Sequence, residues 1–85
     1  MKYLYFSAPW CGPCKMFGPV MERVSKAVPV QKINVDENQQ LAMEYSVRSV
    51  PTVILVDNTG KEFARQVGVQ QEQMLLEQYK NFNNA

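Results

Sequence analysis

The sequence predicts a single α/β domain, residues 1–85, with its elements in the order βαβαββα. Three features carry this expectation. The aromatic, strand-like run "KYLYF" leads into a stretch with helical spacing of apolar residues. The apolar run "TVILV" follows directly on a proline. The turn "DNTG" then joins that run to "EFARQV", whose apolar and polar residues alternate as in one arm of a hairpin.

Each element has its own local cause. Lys2–Phe6 is the first strand. A helix is expected from Cys11 to about Val28, because Phe17, Met21, Val24 and Val28 fall on one helical face. Pro29 ends it, and Pro19 inside it removes a backbone donor, so a kink is expected there. "VQKINV" (Val30–Val35) is the second strand. "DENQQLAMEYSV" is a short helix with Asp36 or Asn38 as cap and Leu41 and Tyr45 facing inward. Thr52–Val56 is a central strand buried on both faces, and Gly60 supplies the positive φ its hairpin turn requires. Glu62–Val67 is an edge strand, and a last helix from about Gln71 to Phe82 buries Leu75, Tyr79 and Phe82. Strands one and two, joined by a helix, should be parallel with a right-handed crossover. The expected strand order is 2-1-3-4, with strand one antiparallel to strand three, strand two at an edge and three flanking helices.

Composition narrows the functional classes. The chain is 46% hydrophobic and 20% charged, as an ordinary globular domain is. Nine basic and eight acidic residues give a net charge of +1, which makes no electrostatic case for nucleic acid or an anionic membrane as partner. The apolar run near the start stops at Ser7 and Pro9, too short for a signal-peptide core, and no stretch approaches a transmembrane helix. A cytoplasmic monomer is the expectation.

The two cysteines, Cys11 and Cys14, lie in "WCGPCK". Such a pair can be a structural staple, half of a metal site or a redox centre. A staple is disfavoured in a reducing compartment, and so short a loop gains little chain-entropy stabilisation. Zinc takes four ligands, and the chain has no histidine and no further cysteine, so no metal is expected without carboxylates or a second chain. Redox chemistry is the favoured alternative.

"WCGPC" at the end of a first strand, together with "VPT" before a "VILV" strand, resembles the thioredoxin family. The similarity extends through "KINVDEN", "YSVRSVPTVILVDNTGK" and "VGVQQEQ", nearly the whole chain, and it implies the thioredoxin fold. Two departures stand out. The sequence lacks the N-terminal strand and helix of full-length thioredoxins, giving a glutaredoxin-sized core. Tyr5 also occupies the position where thioredoxins commonly carry a buried aspartate thought to accept the proton of the resolving thiol. Tyrosine ionises only near pH ~10, so at neutral pH it is a poor base. Tyr5 is expected mainly to fill the core. Lys32 matches a family position near that aspartate and, without it, is equally well read as an exposed strand lysine.

The chemistry that follows is thiol–disulfide exchange. Cys11 at a helix N-terminus meets unpaired N–H groups and the positive end of the dipole, which favour a thiolate. It is expected to be the exposed nucleophile, with Cys14, one turn on, as the buried resolving thiol. Gly12 and Pro13 shape the turn and add no positive charge, which favours a reductant, as the family's CGPC implies. Lys15 is close enough to influence the thiols. Trp10 is expected to offer an apolar platform, and Met16 and Met21 to fill the core. By resemblance Pro51 is cis and faces the cysteines, Val50 presents backbone to a substrate strand, and Gly68 lines the same groove.

The implied function is a protein-disulfide reductase with no bound cofactor. Its electrons would come from NADPH through a flavin-dependent thioredoxin reductase, and ribonucleotide reductase is a plausible acceptor by resemblance only. A glutaredoxin-like, glutathione-linked activity is the alternative, weakened because "VGVQQEQ" has one glycine where glutaredoxins carry two. A thiol-independent binding subunit is a second alternative, disfavoured by the intact "WCGPC" and Pro51.

Overall fold

The computed structural model describes residues 1–84. Strands β1 (Lys2–Ser7), β2 (Val30–Asn34), β3 (Thr52–Val56) and β4 (Glu62–Val67) alternate with helices α1 (Gly12–Ser25), α2 (Gln39–Glu44) and α3 (Glu72–Asn83) in the order βαβαββα. The sheet order is β2-β1-β3-β4. β1 runs parallel to β2 and antiparallel to β3, and β3 runs antiparallel to β4. Among the described residues, no helix is long and apolar enough to cross a membrane.

The pleat divides the core. On one face Tyr3, Tyr5, Val53 and Leu55 pack against Phe17, Met21 and Val24 of α1 and Leu75 of α3. On the other face Leu4, Phe6, Ile54 and Val56 pack with Ala42 of α2. Side chains on a strand alternate sides, so central strands covered on both faces need near-continuous apolar runs. "YLYF" and "VILV" supply them.

Three expectations about packing are corrected. Phe82, expected to be buried, is 37% exposed; it packs on Phe63 of β4, the edge strand of the sheet. Met16 is 76% exposed, because it lies about 200° around the helix from Cys14, opposite the inward stripe of Phe17, Met21 and Val24. Val28 packs against the core from beyond α1, which ends three residues earlier at Ser25. α1 continues through Pro19.

α2 ends where Ser46 takes a positive φ of 54° and Val47 N–H donates to the Ala42 carbonyl at 2.8 Å. From there the chain passes into the segment that precedes β3. The guanidinium of Arg65 on β4 donates to the carbonyls of Tyr45 and Ser46 while pairing with Glu62, which fixes that segment's start.

Two predictions test these contacts. The Tyr3 hydroxyl donates to the Leu75 carbonyl at 2.7 Å, and the Gln78 side-chain amide lies 2.8 Å from it. Burial, with Tyr79 adding to it, holds this phenol un-ionised well above the ordinary tyrosine range. The folded state keeps the proton where the unfolded chain loses it, so this contribution is whole below pH about 10 and is lost as pH rises beyond that value. Tyr3→Phe should cost about 0.5–1.5 kcal/mol at neutral pH and flatten the alkaline fall in melting temperature. Identical alkaline slopes in the two proteins would contradict this. Gly60 sits at φ 89°, where an added Cβ would lie 3.2 Å from the Tyr45 hydroxyl. Gly60→Ala should therefore destabilise the protein by about 1–3 kcal/mol, read from denaturant midpoints.

Candidate active site

β1 leaves the sheet at Ser7 and turns tightly, with Cys11 N–H donating to the Ala8 carbonyl at 3.2 Å. That turn delivers Cys11 to the N-cap of α1, with Pro13 in the first turn, where its missing N–H is not needed. The Cys11 sulfur accepts the Cys14 N–H at 3.1 Å. An N-cap position, a donated N–H and the positive end of the helix dipole all favour negative charge on this sulfur once the thiols are reduced. Cys14 lies on the inward face of α1, and the two cysteines are joined as a disulfide with Cα atoms 5.3 Å apart.

The second wall is the segment before β3. The Val50–Pro51 peptide bond is cis, and the Val50 carbonyl oxygen lies 3.5 Å from the Cys11 sulfur. Gly68 N–H donates to the Pro51 carbonyl at 2.8 Å, and its φ of 92° is one that a side chain would resist. Thr52 adds a hydrogen bond from its hydroxyl to the Ser49 carbonyl at 2.7 Å. Trp10, 68% exposed, lies beside the disulfide, and its indole N–H donates to the Asp36 carboxylate at 3.0 Å. The structure thus brings Trp10, Cys11, Cys14, Val50, Pro51 and Gly68 together around one end of the sheet. Gly12, Pro13 and Lys15 are exposed along the first turn of α1.

Cys11 is not the exposed member of the pair in this disulfide form. It is 4% exposed and Cys14 is 6% exposed, because Ala8, Val35 and Val50 pack around both. Tyr5 fills the core, edge-on to Phe17 with ring centres 5.5 Å apart, and its hydroxyl also donates to the Cys14 carbonyl at 3.4 Å. Burial pushes this phenol up from its ordinary value, partly opposed by the nearby Ser7, so it is a donor at neutral pH.

Three neighbours escaped sequence reasoning: Ser7, Asn34 and Asp36. Ser7 is a buried hydroxyl at the strand end. Asn34 accepts the Asp36 N–H at 2.9 Å in a turn that aims Asp36 at Trp10. The Asn-x-Asp spacing after a strand is the local signal for that turn.

The family model described as Thioredoxin matches residues 2–81. A thioredoxin from Rickettsia felis is 43% identical over 76 residues, covering 85% of this chain and 71% of the relative. One from Haemophilus influenzae is 46% identical over 69 residues, covering 76% of this chain and 64% of the relative. A mutant thioredoxin from Halobacterium salinarum superposes with a TM-score of 0.86 at 41% identity, covering 94% of this chain and 72% of that one. The chain therefore belongs to the thioredoxin family of thiol–disulfide oxidoreductases, whose redox group is a disulfide of the protein itself.

Proposed function

We propose that the protein is a protein-disulfide reductase in which Cys11 is the nucleophile and Cys14 the resolving thiol. The carrying observation is the Cys11 sulfur at the N-cap of α1, held by the Cys14 N–H at 3.1 Å and facing the Val50 carbonyl at 3.5 Å. Cys11 thiolate attacks one sulfur of a substrate disulfide and forms a mixed disulfide, releasing the first substrate thiol. Cys14 loses its proton and attacks the Cys11 sulfur. The Cys11–Cys14 disulfide forms, and the second substrate thiolate leaves and is protonated. The substrate gains two electrons and the protein loses two. Regeneration falls to a thioredoxin reductase drawing on NADPH, in a reducing compartment such as the cytoplasm.

Specificity for an extended substrate segment would come from Val50, whose backbone adjoins the sulfur, and from the exposed face of Trp10. Gly68, hydrogen-bonded to Pro51 and without a side chain, leaves room for that segment. Gly12 and Pro13 hold the thiols in position without adding charge, and Lys15 contributes a positive field at the surface.

Coupled assays provide the first test. The chain should reduce insulin disulfides with NADPH and a thioredoxin reductase, and Cys14→Ser should accumulate protein mixed disulfides on Cys11. Turnover with glutathione and glutathione reductase alone, and none with any thioredoxin reductase, would assign a glutaredoxin-like role instead. Retained cellular function in a Cys11→Ser, Cys14→Ser double variant would point to a thiol-independent binding subunit.

Limited alkylation gives the second test. In the reduced protein Cys11 should be labelled at least about ten-fold faster than Cys14, because only Cys11 sits at the helix terminus with a donated N–H. Preferential labelling of Cys14 would reverse the two roles.

A further inference from the structure

Beside Cys14 lies a cleft of about 490 Å³ between β1, α1 and β2, lined by neither Val50 nor Pro51. Its lining includes Tyr5, Ser7, Cys14, Lys15, Gly18 and Lys32, and none of the lining side chains is a carboxylate. Resolution requires Cys14 to give up a proton, and no carboxylate lines the cleft to take it. Burial raises the Tyr5 phenol, so its hydroxyl stays protonated and donates to the Cys14 carbonyl.

The cleft itself provides a route. Ser7, Asn34, Lys15 and Lys32 give it polar groups beside its apolar wall, and it is far larger than the roughly 30 Å³ that one water occupies in the liquid, so it can hold a short chain of waters reaching from Cys14 to bulk solvent. Lys15 and Lys32, both exposed, line it and set a positive field that favours the Cys14 thiolate.

We propose that this cleft is the proton exit of the resolving thiol: Cys14 passes its proton directly to water there, and Lys15 and Lys32 stabilise the thiolate that remains. The proposal rests on the roles given above to Cys11 and Cys14. In the step, the Cys14 S–H bond breaks and its proton goes to cleft water. The Cys14–Cys11 S–S bond then forms, the mixed-disulfide bond breaks, and the leaving thiolate takes a proton from solvent. Lys15 and Lys32 act through the field as positioning residues; neither touches the reacting atoms.

Gly18 offers a way to close the cleft. Gly18 lines the cleft and a Cβ added there meets nothing within 4 Å, so a side chain can start from that position without a backbone clash. The experiment follows mixed-disulfide resolution by stopped flow with a nitrobenzoate aryl disulfide, whose released thiolate is coloured. In Gly18→Leu the resolution step should slow by about ten-fold or more, within the range for a lost proton-transfer route. The first attack by Cys11, measured with Cys14→Ser added, should stay within about two-fold of its rate with Gly18 present, as should both steps in Gly18→Ala.

Lys32→Gln tests the field without filling the cleft. It should slow resolution by about three-fold at low salt and lose that effect at high salt, as one partly screened charge does. An added small base such as imidazole should speed resolution in the parent chain but not in Gly18→Leu. The proposal is overturned if Gly18→Leu resolves as fast as the parent, or if it slows both steps equally. It is likewise overturned if neither Lys32→Gln nor salt changes resolution. The small aryl disulfide needs no protein substrate and no reductase. Failure to reduce insulin beside normal colour release would therefore count against the reductase reading alone.

Discussion

The antiparallel pairing of β1 with β3 is the constraint on which the site depends. Its register sets Phe6 opposite Thr52. The end of β1 therefore lies next to the start of β3, and the turn carrying Cys11 meets the Val50–Pro51 bond. Slipping that register by one residue would turn Tyr5 and Phe6 to the wrong faces, exchanging the packing beneath α1 with that beneath α2. The same burial that fixes the register fixes the site geometry: Tyr3, Phe6, Val53, Ile54 and Leu55 are all fully buried. Placement of the reactive sulfur is thus a consequence of core packing in the two middle strands.

Order along the chain was legible because each element carries a strong local signal. "KYLYF" and "TVILV" are too short and too branched or aromatic to be helices, and "DNTG" has a glycine where positive φ is needed. The cysteine pair and the proline before β3 were legible as a motif. What the sequence concealed was three-dimensional. Met16 looks like core, but its direction depends on the helix phase set by Cys14 and Phe17. Phe82 continues the apolar stripe of α3, yet it packs on Phe63 of the edge strand and stays partly exposed. The burial of Cys11 comes from Ala8, Val35 and Val50, which lie in three different segments of the chain.

Tyr5 combines several duties at one position. Its ring does the packing work of a core residue against Phe17, and its hydroxyl satisfies a carbonyl at the resolving cysteine. A carboxylate there would need desolvation and a partner, with Lys32 across the parallel pair from Tyr5 as the nearest candidate. With a phenol in place, Lys32 has no carboxylate opposite it in the β1–β2 register, and it lines the cleft beside Cys14. The phenol beside Cys14 and the lysine in the cleft wall are thus set by a single position in the β1–β2 register.

The segment between α2 and β3 is tied down at both ends and along its length. Arg65 holds the Tyr45 and Ser46 carbonyls, Thr52 holds that of Ser49, and Gly68 holds that of Pro51. Backbone restrained in this way has little conformational entropy left to lose when another strand pairs with it. The ordering cost of such an encounter then falls almost wholly on the incoming chain. Affinity among partners would be graded by how extended and how stiff each one already is, so a single fixed surface can rank many sequences without a pocket for any particular side chain.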